Sequence, residues 1–226
     1  MGRIQMNSRR VFFACAAAFS FLFASCVGAS ASFTVKRGGS GSVALEYRVA
    51  KTFSSMGDFL RESGPPLPLS KEDFAASIKN VEGLELKSYE QKEDGSDDVY
   101  TVKIAFKKLE DVVSYLNSSQ NQRIIYKEED GKKTLTYFFW RSLESNDIVK
   151  DDAMVSVISQ AFNGYDFAFS INLPKAYSVK YINAAGAELK NQPPAVITHN
   201  KKTYSLKTPA SSVFLADETS GFVISW

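Results

Sequence analysis

From Val43 onward the apolar side chains of this chain recur mostly at every second position. In Val43–Val49 they fall on Val43, Leu45, Tyr47 and Val49, with Ala44, Glu46 and Arg48 between them. A period of two puts one face of a strand inward and leaves the other polar. The same period returns at Tyr100, Val102, Ile104 and Phe106, again at Phe167, Phe169, Ile171 and Leu173, and then at Tyr177, Val179 and Tyr181. It ends with Tyr204 and Leu206, followed by Phe222, Ile224 and Trp226. Leu84 and Leu86 begin another strand. The stretch EDGSDD at 93–98 and the pair Asp130-Gly131 supply turn chemistry for two hairpins, the second over 122–141. Helical spacing interrupts the strands at three places. Ser70–Asp73 reads as a capping box ahead of Phe74 and Ile78, and Leu109, Val112, Val113 and Leu116 share a face. Residues 148–162 align Met154, Ile158, Ala161 and Phe162. Hairpins with helices between them predict an α+β fold: a mainly antiparallel sheet with three or four short helices packed on it.

The N-terminus is of another kind. Arg3, Arg9 and Arg10 precede the apolar run VFFACAAAFSFLFA at 11–24. This is the basic-then-apolar order of a secretory signal. Fourteen residues at about 1.5 Å each span about 21 Å, short of a hydrocarbon core of roughly 30 Å. Phe23-Ala24-Ser25-Cys26 resembles the lipobox of bacterial lipoproteins, with Phe where that motif usually has Leu. The resemblance implies lipidation of Cys26 and cleavage before it. The rival is an A-x-A site at Ala29-Ser30-Ala31, which would release the protein without a lipid. Ser8-Arg9-Arg10-Val11-Phe12-Phe13 also matches a twin-arginine signal, so the export route stays open. The expected division is a lipoprotein signal peptide over 1–25, a lipidated N-terminus with a Gly/Ser-rich flexible tether over 26–42, and one α+β domain over 43–226. Membrane attachment through the N-terminal lipid would place that domain in the cell envelope, outside the cytoplasm. It leaves open which membrane carries it.

Charge and cysteine content narrow the function classes. Three of the 27 basic residues and none of the 25 acidic ones lie before Cys26, which leaves 24 against 25. A nearly neutral domain has no general electrostatic affinity for nucleic acid. Of the two cysteines, Cys15 lies inside the signal run, so a mature chain would hold only Cys26 and could form no internal disulfide or cysteine metal site. His199 is the single histidine and reads as a polar loop residue. Acids cluster at Glu93-Asp94, Asp97-Asp98, Glu128–Asp130 and Asp151-Asp152. They coincide with hairpin tips and a helix start, where acids are expected on structural grounds. No nucleophile elbow, zincin, phosphate loop or dinucleotide fingerprint is present. No catalytic residue, metal site or cofactor is therefore expected, and the domain reads as non-enzymatic.

The aromatic residues carry the remaining functional reading. Tyr137, Phe139 and Trp140 lie on one strand, with Phe167 and Phe169 on another. Such residues fill a core, or they line a groove for a lipid, a glycolipid or another apolar ligand. The alternative to ligand binding is a membrane-tethered interaction module, a surface adhesin or an assembly component.

The order lipobox, strand, helix, hairpin, helix, hairpin, then Ile171-Asn172-Leu173-Pro174, Asn183-Ala184-Ala185-Gly186 and a last strand Gly221–Trp226 resembles the LppM-like family of bacterial envelope lipoproteins. The resemblance implies an α+β envelope domain associated with lipid or glycolipid handling. In that family many members continue into a C-terminal transmembrane helix, whereas this sequence stops at Trp226. No binding residue of the family carries over.

Overall fold

The computed structural model describes residues 27–51, 70–117, 123–140, 142, 151–191 and 194–226. The signal segment, Cys26 and the Gly64–Pro68 break lie outside them. Eleven strands and four short helices are described. The strands form a seven-stranded sheet and a four-stranded sheet, and every named pair but one is antiparallel. The α+β expectation holds, with two sheets in place of one.

The first sheet starts earlier than expected. Val27–Val35 form β1, and Gly41–Ala50 form β2. They pair antiparallel along their whole length, from Val27 opposite Val49 to Val35 opposite Gly41. The flexible tether expected over 26–42 is therefore corrected for 27–42, because Val27–Val35 already pair with Gly41–Ala50; Cys26 itself lies outside the described residues. Its composition of small residues concealed an alternation of Ala29, Ala31, Phe33 and Val35 against Gly28, Ser30, Ser32 and Thr34. Phe33 and Val35 are buried. Only the turn at Arg37-Gly38-Gly39 keeps the glycine-rich character, with Gly39 at φ +84°.

After Ser70, whose hydroxyl accepts from the Asp73 amide at 3.0 Å, helix α1 covers Lys71–Ile78 and buries Phe74 and Ile78. The hairpin of β3 (Leu84–Asp94) and β4 (Asp97–Phe106) turns through Gly95-Ser96, a tighter turn than the acidic stretch implied. Helix α2 (Leu109–Leu116) buries Leu109, Val112 and Val113. Strands β5 (Ile124–Glu129) and β6 (Lys132–Trp140) then turn through Asp130 at φ +50° and Gly131 at φ +73°. Positive φ at both positions is what a two-residue turn between twisted strands requires. Helix α3 covers Asp152–Ala161, and the Asp151 carboxylate accepts from the Met154 amide at 2.8 Å.

Next come β7 (Asp166–Asn172), β8 (Ser178–Asn183), β9 (Val196–His199) and β10 (Thr203–Pro209). Helix α4 (Ala210–Phe214) and β11 (Ser220–Ser225) complete the described elements. The seven-stranded order is β3-β4-β2-β1-β7-β10-β9, and the four-stranded order is β5-β6-β11-β8. β1 is thus the central strand of the larger sheet. It runs parallel to β7, with Ala31 opposite Phe169 and Phe33 opposite Ile171. A tether could not occupy that place, because both of its edges are hydrogen-bonded.

One buried cluster contains residues of both sheets, among them Phe33, Phe169, Ile171 and Tyr204 with Leu135, Phe222 and Ile224. A smaller one gathers Ile158, Phe162 and Ala210 between α3 and α4.

Candidate functional site

The five aromatic residues singled out from the sequence divide among three environments. Tyr137 meets Phe169 at 5.4 Å and Phe222 at 5.7 Å between ring centroids, both edge-on. Phe169 also touches Phe33 at 5.6 Å and Phe222 at 5.3 Å. These rings join the two sheets, and edge-on and tilted pairs at such distances are the favoured packing of aromatic quadrupoles. Phe139 is buried beside Tyr137 and Trp140, at 5.2 and 5.1 Å. Phe167 lies apart from them, with Phe162 at 6.3 Å and Phe214 at 5.7 Å, in the cluster under α3 and α4. Phe167 and Phe169 share one face of β7, so they are separated along the strand: Phe167, opposite Ala29, lies nearer the strand start, and Phe169 is opposite Ala31.

Burial raises the Tyr137 hydroxyl pKa, and the nearby Arg123 guanidinium opposes the shift in part. Burial raises Tyr204 and Tyr47 as well; Tyr204 also shares a contact at 3.4 Å with the Tyr181 hydroxyl. These phenols stay neutral under ordinary conditions and act as packing groups with a polar tip.

Trp140 is the member of the five that reaches a cleft. It is 1% exposed, and its indole N–H has no acceptor among the described residues. It lines a cleft of about 590 Å³ whose walls come from three places. Leu189, Lys190 and Asn191 follow β8, Pro194 precedes β9, and Ser211 to Ser220 run through α4 into β11. Leu189, Leu215, Ala216 and Pro194 supply apolar surface. Ser211, Ser212, Asn191, Asp217 and Glu218 supply polar groups on the same walls. The volume lies within the roughly 300–1,000 Å³ usual for small-molecule clefts. Sequence reasoning missed every lining residue but Trp140, because most belong to connections or to the five-residue α4 rather than to strongly periodic elements. The available signal was Pro209 before Ala210, a proline at a helix start that marks α4.

A second cleft, of about 470 Å³, opens at the start of β1 and is lined by Gly28, Ser30, Arg48, Asp97, Tyr165 and Lys207 among others. Its charges are matched internally. Arg48 contacts Asp94 at 2.9 Å, Lys207 contacts Asp166 at 2.8 Å, and the Tyr165 hydroxyl donates to Asp97 at 3.0 Å.

The acidic clusters and the histidine stay dispersed. Glu93 pairs with Lys51 at 2.6 Å, Glu128 with Lys133 at 3.4 Å, and Asp151 caps α3. His199 is exposed at the end of edge strand β9. Among the described residues no three His, Cys, Asp or Glu side chains come together as a metal site. Among them, too, no helix is long and apolar enough to cross a membrane.

No protein-family model matches the chain, and no curated protein matches it. Among solved structures it is similar to the folded domain of LppM from Mycobacterium tuberculosis, determined by NMR. The two share 10% sequence identity over 87% of this chain and 88% of that one, with a TM-score of 0.42. That similarity assigns no residue a role.

Proposed function

We propose that the chain is a bacterial cell-envelope lipoprotein, anchored through Cys26, whose domain binds a lipid or another ligand with an apolar body without catalysing a reaction. The observation that carries the ligand reading is the cleft beside Trp140. Its apolar and polar walls match an amphiphile. The lipobox-like Phe23-Ala24-Ser25-Cys26 supports the anchor.

Native mass spectrometry of the protein released from membranes in mild detergent tests the ligand reading. The expected result is a bound mass that Ser212→Trp, which fills the cleft, removes while the fold is kept. A wild-type protein that carries no ligand, and whose Trp140 emission does not respond to added phospholipid or glycolipid, would refute it.

The interaction-module reading has one observation of its own. Val196 is 72% exposed on β9, the edge strand of the larger sheet. An open edge with an apolar side chain is a surface on which a partner strand can add. Val196→Lys would abolish such pairing and leave the Trp140 cleft untouched.

A further inference from the structure

A third cleft lies between the two sheets at the far end of β1. Its volume is about 360 Å³, and its lining is Arg37, Lys133, Pro174, Lys175 and Trp226. Four segments converge there. Arg37 sits in the β1–β2 turn, closed by the Lys36 amide on Ser40 O at 2.8 Å and the Gly39 amide on Lys36 O at 3.0 Å. Pro174 and Lys175 follow β7. Lys133 and Trp226 exchange main-chain hydrogen bonds across β6, at 2.9 and 3.0 Å. The lysine ammonium also reaches toward the turn, since a Cβ placed on Gly39 would lie 3.7 Å from it.

The chemistry of this lining is one-sided. Its polar side chains are a guanidinium, two ammonium groups and an indole N–H, and all of them are donors. No side-chain carboxylate, amide oxygen or hydroxyl is among them, and the main-chain oxygen of Trp226 is already engaged by the Lys133 amide at 2.9 Å. Trp226 is 6% exposed, and its N–H has no acceptor among the described residues. Lys133 is held down, with its side chain 20% exposed, and its one ion pair, to Glu128, is long at 3.4 Å. Arg37 and Lys175 make no ion pair with the described residues. Such a site favours an anion that can accept several hydrogen bonds, and it disfavours a cation. Phosphate oxygens meet a guanidinium in a two-pronged geometry and ammonium groups as point charges.

We propose that this cleft binds the phosphate group of a small phosphorylated molecule, with Arg37, Lys133 and Lys175 as its donors and the Trp226 ring as part of its wall. The site is separate from the Trp140 cleft and does not depend on the ligand reading given to it. Eight residue steps of β1 place it about 26 Å along the strand from Val27, the residue next to the lipidation position. A molecule free in the envelope compartment reaches that end directly. A headgroup of the anchoring membrane reaches it only if the domain lies flat.

The protein has two tryptophans, so Trp140→Phe leaves Trp226 as the single indole reporter. The test titrates this variant of the full chain, in detergent, with inorganic phosphate and with glycerol 3-phosphate against sodium chloride of equal ionic strength. Expected is a saturable change in Trp226 emission with both phosphates and none with chloride. Arg37→Met and Lys133→Met should each weaken it by about tenfold, the scale of one charge-assisted hydrogen bond, while Lys103→Met on remote β4 leaves it unchanged. Arg37 is exposed in a turn, so its variant folds even if Lys133→Met does not. Anionic vesicles of phosphatidylcholine and phosphatidylglycerol distinguish the source. Vesicle binding that phosphate competes away assigns the phosphate to a lipid headgroup, and its absence beside a response to glycerol 3-phosphate assigns it to a soluble ester. No saturable phosphate response, or a response that Arg37→Met leaves intact, would overturn the proposal.

Discussion

Replacing Phe33 by Ala separates a central strand from a tether at a single position. Phe33 is 2% exposed in β1, with its ring 5.6 Å from that of Phe169. Truncation removes about 150 Å² of buried apolar surface, worth about 4 kcal/mol at roughly 25 cal/mol per Å². Measured losses for buried Phe→Ala fall at about 3–5 kcal/mol, cavity term included. For a domain of this size that is a fall in Tm of roughly 10 °C. Urea unfolding followed by tryptophan emission reads the change directly, with the denaturant slope unaltered if both states keep their extent. Thr34→Ala is the internal control. Thr34 is the adjacent residue on the exposed face, and its loss should stay within about 0.5 kcal/mol. A tether would leave both variants like wild type. A loss below about 1 kcal/mol for Phe33→Ala would refute the central placement of β1.

Further outcomes follow from other residues. A Cβ on Gly221 would overlap the Tyr137 carbonyl oxygen and lie 2.7 Å from the Phe138 Cα, so Gly221→Ala should disrupt the β6–β11 pairing and the protein should be recovered largely unfolded by circular dichroism. The Asn117 side chain ends α2 by accepting from the Arg123 and Ile124 amides, each at 3.1 Å, and by donating to Ile124 O at 2.5 Å. Asn117→Ala should cost about 2–3 kcal/mol in urea unfolding, because it orphans buried main-chain groups. Burial raises the phenol pKa values of Tyr204, Tyr47 and Tyr137 above the ordinary 10. The folded state then holds protons that the unfolded chain releases, so the contribution of these phenols to stability is constant below about pH 10 and falls as the pH rises beyond it. Urea midpoints on either side of pH 10 check this, and a midpoint that rises with pH would contradict it. Cys26→Ala should leave the protein unprocessed or move it out of the membrane fraction, as fractionation and intact mass report; unchanged processing and retention would favour Ala29-Ser30-Ala31 or an uncleaved anchor.

The fold was legible wherever the hydrophobic period was strong and its turn chemistry local. Val43–Val49, the Asp130-Gly131 hairpin and the Ser70 cap all read correctly, because each is decided by residues within a few positions of one another. β1 failed for the opposite reason. Ala29, Ala31 and the serines between them carry little β signal of their own, and their strand exists because β2 and β7 pair with both edges. Tertiary pairing overrode a local composition that reads as flexible. The split of the sheet in two was hidden for a related reason. The sequence marks which residues alternate but not that β11 returns to pair with β6 and β8. Site residues were the least legible. The aromatic run 137–140 stood out because large rings are conspicuous. The Trp140 cleft, by contrast, is walled by serines, a proline and acids from connections and the five-residue α4, which have no strong period.

The placement of β1 also changes what a lipid on Cys26 would do. With a sixteen-residue leash over 27–42 the domain could tumble free of the bilayer, and neither cleft would have a defined height above it. With β1 beginning at Val27, a lipid on Cys26 would attach one residue before the central strand of the larger sheet. The second cleft, lined by Gly28 and Ser30, would then lie near that lipid, and the donor-lined cleft at Arg37 lies at the other end of the strand. Three or four glycine-serine pairs inserted between Cys26 and Val27 would restore the leash without touching the fold. If the domain works at the membrane surface, that insertion should impair ligand capture from vesicles while binding of soluble ligand in detergent is unchanged. Equal loss in both assays would mean that the insertion damaged the domain, and no loss in either would mean that the short anchor has no positional role.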